Sequence, residues 1–226
     1  GFNGSQVVIP STFMGKPVVE IDQDSFGGNR NIERVVIPKT VKTIGNHAFL
    51  HCVFLREVIF EEGSELISIG DGAFNNTAIV SITLPEGLKT IGVGAFNSCD
   101  DMKEITLPST LKSIGSNAFR YSTVSKVTVN DVGKWCTVSF DGKYANPAYV
   151  AGKLYSSDGS LVTRVNVPNG TSEISAYAFY GVKTLESISI PSSVKYIGVG
   201  EQIDDMEPFD SKMFVDAILS ESSDGE

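Results

Sequence analysis

The amino-acid sequence predicts a predominantly β repeat solenoid: a stack of short coils joined by a parallel sheet of short strands, with one aromatic insertion and an acidic tail that is either helical or disordered. Three observations predict it. A cassette reading EITLPSTLKSIGSNAF from Glu104 to Phe119 recurs as RVVIPKTVKTIGNHAF ending at Phe49, as SITLPEGLKTIGVGAF ending at Phe96, and more loosely as EVIFEEGSELISIGDGAF ending at Phe74. The markers Phe26, Phe49, Phe74, Phe96 and Phe119 stand 23, 25, 22 and 23 residues apart. Between Phe119 and Phe179 the spacing widens to 60 residues, and that stretch holds the one Trp of the chain. Self-similarity at such a period means that each unit buries its apolar face only by stacking on its neighbours.

Each cassette opens on an alternating triplet such as Ile105-Thr106-Leu107, whose outer side chains point inward and whose middle one points outward, the period of a strand. The inward pairs are Val35/Ile37, Val58/Phe60, Ile82/Leu84, Ile105/Leu107, Val127/Val129, Val165/Val167 and Ile188/Ile190, and stacked in parallel they make one continuous apolar wall. Proline follows most strands (Pro38, Pro85, Pro108, Pro168, Pro191), where its missing N–H costs the ladder nothing. Next comes an apolar pair three residues apart, as in Val41/Ile44 or Leu111/Ile114, followed by Gly45, Gly70, Gly92, Gly115 or Gly198. Glycine there fits a corner that requires either positive φ or close backbone approach. Ala-Phe then plugs the far end of the coil. The unit is too short for a helix of several turns, so the outer side is expected to be short extended or irregular backbone.

The run TLPSTLKSIGSNAF, with its strand, Pro, apolar pair, Ile-Gly, Ala-Phe and small residue, resembles the BspA-type leucine-rich repeat family over roughly Val7 to Gly198. The resemblance implies a leucine-rich-repeat stack over residues 1–200, with the insertion at about 130–162. It also implies a binding module on a bacterial surface or secreted, hence extracellular, and it carries no catalytic residue across.

Within the insertion, Leu154-Tyr155, Ser-Ser-Asp-Gly-Ser and Leu161-Val162 read as a β-hairpin. Trp135, Tyr144, Tyr149 and Tyr155 are either a sugar or peptide platform or the small core that seals a widened coil. The tail, 201–226, has another character. Residues Lys195 to Leu219 resemble the C-terminal end of the signal-recognition-particle receptor family FtsY, which are GTPases. That resemblance implies, as an alternative, a GTPase-derived or other enzyme fragment. The chain contains no Gly-x-x-x-x-Gly-Lys-Ser/Thr phosphate loop and no Thr-Lys-x-Asp motif to go with it. Phe209, Met213, Phe214, Ala217 and Ile218 fall at helical spacing and fit a helix that covers the last coil.

The net charge of −9 is a local property. Residues 201–226 carry nine acids and one base, so the first 200 are nearly neutral. No basic stripe is present, which speaks against nucleic acid as partner, and no apolar run approaches the ~20 residues of a membrane-spanning helix. Starting at Gly1 rather than Met, the chain carries no information about a leader. Cys52 and Cys99 each sit three residues after a cassette Phe, at positions filled elsewhere by Asn29, Thr77, Ser122 and Val182. Two coils at ~4.8 Å each separate them, beyond the ~7 Å reach of a disulfide, so small buried thiols are expected. His47 and His51 flank Ala48-Phe49 and are two ligands too few for zinc. Asp71, Asp100, Asp101 and Asp131 form no calcium loop. The expectation is therefore a protein without cofactor, metal or catalytic residues.

Candidate ligand-binding residues lie on the outward side of the strands. Val36, Ile59, Thr83, Thr106, Thr128 and Asn166 form the central row, and Arg34, Glu57, Glu104, Lys126 and Arg164 form a second row just before each strand. Such a face is where solenoids take extended partners, here a protein or glycan. Thr and Ser also suit a wet β face with no partner at all.

Overall fold

The structure, a computed structural model, describes residues 5–198 and the strand Met206–Pro208. Strands Gln6–Val8, Arg34–Ile37 and Glu57–Phe60 pair in parallel. So do Ser81–Thr83, Glu104–Leu107, Lys126–Val129 and Tyr155–Ser156, and then Arg164–Asn166 with Ser187–Ser189. The alternation predicted from sequence holds: Val35, Ile37, Ile82, Leu84, Ile105, Leu107, Val127, Val129, Val165 and Val167 are all buried.

The front wall is one packed core but three hydrogen-bonded ladders. The first break falls in the loosest cassette, which is 25 residues long and has no Pro after its strand. There the coils are linked through Val80 N–H to the Arg56 carbonyl at 3.3 Å. Phe60 pairs with Ile37 on one side but with no residue of the following strand, and it is only half-buried. The second break is made by the insertion, whose strand Tyr155–Ser156 takes the place beside Lys126–Val129. Ile188 and Ile190 are also only partly buried. Ile188 lies in the last front strand described, Ser187–Ser189, and Ile190 just after it, so no following front strand covers them among the described residues.

The second side of each coil is more regular than the sequence suggests. The two-residue strands Glu20–Ile21, Thr43–Ile44, Ser68–Ile69, Thr90–Ile91, Ser113–Ile114 and Ser139–Phe140 form an unbroken six-stranded parallel sheet. Glu173–Ile174 and Tyr196–Gly198 continue the pattern, and Met206–Pro208 lies antiparallel on the latter. The helix expected over Phe209–Ile218 lies outside the described residues.

The conserved-spacing glycines are explained by close approach, not by backbone angle. A Cβ on Gly45, Gly92 or Gly115 would stand 2.6, 2.5 or 2.6 Å from a backbone nitrogen of the preceding coil. The left-handed residues come two positions before and after the plug Phe. His47, Gly72, Gly94 and Asn117 have φ of 57°, 58°, 60° and 55°, and His51, Asn76, Ser98 and Tyr121 have φ of 58°, 55°, 56° and 60°. Both histidines are therefore corner residues. His51 Nδ1 lies 2.9 Å from the Asn76 side-chain nitrogen.

Between these corners the Phe rings stack in register. Centroids are 5.0 to 5.4 Å apart from Phe26 through Phe119, with interplanar angles of 10° or less. The backbone N–H groups of Phe26, Phe49, Phe74 and Phe96 each donate to the Ala carbonyl of the next coil at 2.8 Å. At the insertion Phe119 N–H donates to the Tyr144 carbonyl at 2.9 Å, and on the far side of the insertion, side chains take over as donors. Trp135 Nε1–H donates to the Ala178 carbonyl at 2.7 Å, and the Asn146 amide donates to the Tyr177 and Ala178 carbonyls at 2.6 and 3.2 Å. Trp135 is buried, packed edge-on to Phe140 at 4.9 Å, so the sealing role holds for this residue. The hairpin is present too: Tyr155 and Leu161 form an antiparallel bridge, and Asp158 closes the turn by accepting from Ser160 N–H at 2.9 Å.

Candidate binding face

Parallel pairing puts the outward residues in register. Val8, Val36 and Ile59 are successive neighbours in the first ladder, and Thr83, Thr106 and Thr128 in the second. Thr128 is followed by Tyr155, so an aromatic residue extends the central row where the repeat alone provides none. Val36, Ile59, Thr106 and Thr128 are half-buried by their lateral neighbours, whereas Thr83 is open. Arg164 and Asn166 do not join this row. They sit on the separate pair of strands with Ser187 and Ser189.

The second row is self-neutralising. Arg34 Nε lies 3.0 Å from Glu57, Lys126 Nζ 3.3 Å from Glu104, and Arg164 Nε 3.8 Å from Glu186. Such exposed pairs add about 0–1 kcal/mol each to stability. Their larger consequence is for recognition, since these charges are already satisfied across the strands. What remains unpaired on the face is an apolar and hydroxyl strip that ends on Tyr155, with the Lys126 ammonium 5.9 Å from its ring centre.

Tyr155, named from sequence only among the insertion's aromatics, is the residue of the outward row that reasoning along the cassette did not place there. The hairpin was legible, and in it Leu154 is buried and Tyr155 half-buried. What was not legible was that the hairpin's first strand docks beside Lys126–Val129.

The other candidate chemistry resolves into architecture. Asp71 Oδ1 accepts from Val93 N–H at 2.7 Å, tying one coil to the next, and Asp131 caps the helix Val132–Trp135. Among the described residues no group of three or more His, Cys, Asp or Glu side chains is arranged to hold a metal. No helix among them is long and apolar enough to cross a membrane.

Cys52, Cys99 and Cys136 are free and buried. Cys52 Sγ lies 3.1 Å from the Phe26 carbonyl and Cys99 Sγ 3.3 Å from the Phe74 carbonyl, with Thr77 Oγ1 next to Cys99 at 3.4 Å. This is the interior ladder of small residues that their spacing predicts. Burial pushes the thiols of Cys52 and Cys99 up to about 11 and that of Cys136 to about 12. Their reactive thiolate is thus suppressed at neutral pH. Native protein at pH 8 should leave all three unlabelled by a thiol reagent over minutes, and denatured, unreduced protein should yield three. Recovery of one thiol after denaturation would overturn the register. Because these acids are held protonated in the fold, their stabilising contribution is present below the ordinary thiol pKa. It is lost as pH rises through 9 toward 11–12.

Comparison with known proteins gives one short match and several long ones. A segment of 29 residues is 66% identical to the signal recognition particle receptor FtsY of Neisseria meningitidis serogroup C. It covers 13% of this chain, and the chain spans only 7% of that receptor's length. Among solved structures, a leucine rich repeat protein of T. pallidum is 28% identical, with a TM-score of 0.55 over 87% of this chain and 74% of that one. A leucine-rich repeat protein of Eubacterium ventriosum, 20% identical, has the same fold, with a TM-score of 0.52 over 87% of this chain and 58% of that one. The BspA type leucine rich repeat region matches in six copies over residues 19–145 and 153–200, and the chain belongs to that family.

Proposed function

We propose that the chain is a non-enzymatic binding module of a bacterial surface or secreted protein, recognising protein or glycan through its exposed strand face. The observation that carries this reading is the outward strip Val36, Ile59, Thr83, Thr106, Thr128 and Tyr155, in register within each of two ladders, Val36 beside Ile59 and then Thr83 through Tyr155, and flanked by charges that neutralise one another. An extended partner laid across the strands meets aliphatic side chains first, then three threonines, with an aromatic stop at the end. Family membership supports display outside the cytoplasm.

Screening against a glycan array and a panel of host-matrix proteins tests it. Val36→Asp and Ile59→Asp should weaken the hit by about tenfold or more, since each places a carboxylate against the bound surface. A ligand whose affinity ignores both substitutions binds elsewhere, and the reading fails. The segment similar to FtsY gives the competing expectation of guanine-nucleotide binding. Calorimetric titration with GTP should give no saturable heat, and micromolar saturation would reject the binding-module reading.

A further inference from the structure

The outward row changes character along its length. In the first ladder it is aliphatic: Val8, Val36 and Ile59. In the second it runs Thr83, Thr106, Thr128 and Tyr155, a hydroxyl on each of four neighbouring strands. Parallel pairing spaces these residues at about 4.8 Å per strand. Threonines at the turns and corners spend their hydroxyl inside the fold. Thr40 donates to the Val18 carbonyl at 2.7 Å, Thr77 to that of Phe74 at 3.0 Å, Thr110 to that of Leu88 at 2.9 Å and Thr123 to that of Asp100 at 2.6 Å. The hydroxyls of Thr83, Thr106, Thr128 and Tyr155 have no hydrogen-bond partner among the described residues.

The polar groups that border this row are satisfied on both sides. Where the strands begin, the Lys126 ammonium lies 3.3 Å from the Glu104 carboxylate. Where they end, Glu86 accepts from the Ser109 backbone N–H at 3.0 Å, from the Ser109 hydroxyl at 3.1 Å and from the Asn130 amide at 2.7 Å. The bond from Asn130 reaches back across two coils and ties the row's strands together. Beside it, Lys134 Nζ stands 3.8 Å from Asp131. Free hydroxyls thus lie between two borders whose charges are already paired. Charge complementarity selects an uncharged ligand, because a charged one would give up water for a row that offers no counter-charge.

We infer that the second ladder binds a neutral polysaccharide laid across its strands, one sugar ring per coil, exchanging hydrogen bonds with Thr83, Thr106, Thr128 and Tyr155. This rests on the strand-face reading above, and adds the class of ligand and the part of the face that takes it. A hydroxyl both donates and accepts, so a row of hydroxyls matches a polyol, whose groups do the same. The spacing agrees, since one strand step is close to the length of one ring in an extended pyranose chain. An extended peptide presents same-face side chains every two residues, at about 6.6–6.8 Å. It falls out of step with the row within two strands.

The test titrates the full chain by calorimetry, at low and at high salt, with cello-, manno-, xylo- and galacto-oligosaccharides and with polygalacturonate. Tm is recorded for every variant. At least one neutral oligosaccharide should bind, with an affinity that salt leaves unchanged because no ion pair forms, and polygalacturonate should bind more weakly. Thr106→Val and Thr128→Val keep the shape and the strand preference but remove the hydroxyl. Each should weaken binding about two- to tenfold at unchanged Tm. Lys112→Ser, on the second sheet, should bind as the parent does. The inference is overturned if no neutral oligosaccharide binds, if polygalacturonate binds more tightly, if affinity falls with salt, or if both valine variants keep full affinity. A host-matrix protein whose binding is lost in Val36→Asp, in a chain that takes none of the neutral oligosaccharides, overturns this inference and leaves the strand-face reading standing.

Discussion

Ile37→Asp should unfold the N-terminal coils at ambient temperature, whereas Val36→Asp, one residue away, should shift Tm by no more than a few degrees. Ile37 is fully buried in the apolar core and pairs with Phe60 of the next strand. An unpaired carboxylate there costs several kcal/mol, a large share of the ~5–15 kcal/mol that holds a domain folded. In a linear stack the loss does not stay local, because each coil is stable only against its neighbours. Val36 is half-exposed, and its side chain shares the outer face with Val8 and Ile59. Circular-dichroism melts of the two variants are the measurement. Equal loss of Tm in both would reverse the inward and outward sets and remove the proposed strand face with them.

Phe60→Asp refines the expectation. By sequence pattern Phe60 is the equivalent of Ile37, yet it is half-buried at the break between ladders. The same change should therefore cost clearly less than at Ile37. Residues such as Ile105 and Leu107 were legible because period-2 alternation, repeated at a fixed spacing, leaves one register that buries everything. Phe60 was not, because its burial depends on how the next coil docks, and that coil follows the cassette with two extra residues and no proline.

The same division runs through the candidate sites. Val36, Thr83 and Thr106 were readable as a row because each repeats one position of one cassette. Tyr155 entered the row, and Arg164 and Asn166 left it, through a docking event that no local pattern encodes. The charged row was legible residue by residue as a row, but its cross-strand pairing was not, and that pairing makes it a neutral border. Tyr144 and Tyr149 were singled out among the insertion's aromatics, but their neighbours Tyr177 and Tyr180 were not, because only the stacking of coils brings corner and insertion side by side.

Gly92→Ala should be the most damaging single methyl in the stack, and Gly94→Ala, two residues on, should be mild. The sequence left two reasons for glycine at these corners, positive φ or close approach, and the structure assigns one to each position. Gly94 has φ of 60°, and an added Cβ would have nothing nearer than 3.8 Å. Alanine there costs only the left-handed conformation, about 1–2 kcal/mol. Gly92 has no such angle, but its Cβ would stand 2.5 Å from the Asp71 backbone nitrogen and 2.5 Å from the Gly70 carbonyl carbon. Those atoms are backbone of the previous coil, fixed by the Gly92 N–H bond to the Ile69 carbonyl at 2.8 Å. The clash cannot relax by turning a side chain. It must push two coils apart, lengthening the Phe74–Phe96 contact and the ladder on both sheets at once. Overpacking of this kind costs about 3 kcal/mol or more. Urea unfolding of the two variants separates the causes. Gly92→Ala should lower the midpoint about twice as far as Gly94→Ala, and a Gly92→Ser variant should be no better. If Gly94→Ala proves the more damaging, backbone angle rather than coil spacing governs the corner, and the close approach at Gly45, Gly92 and Gly115 is not what holds glycine in the repeat.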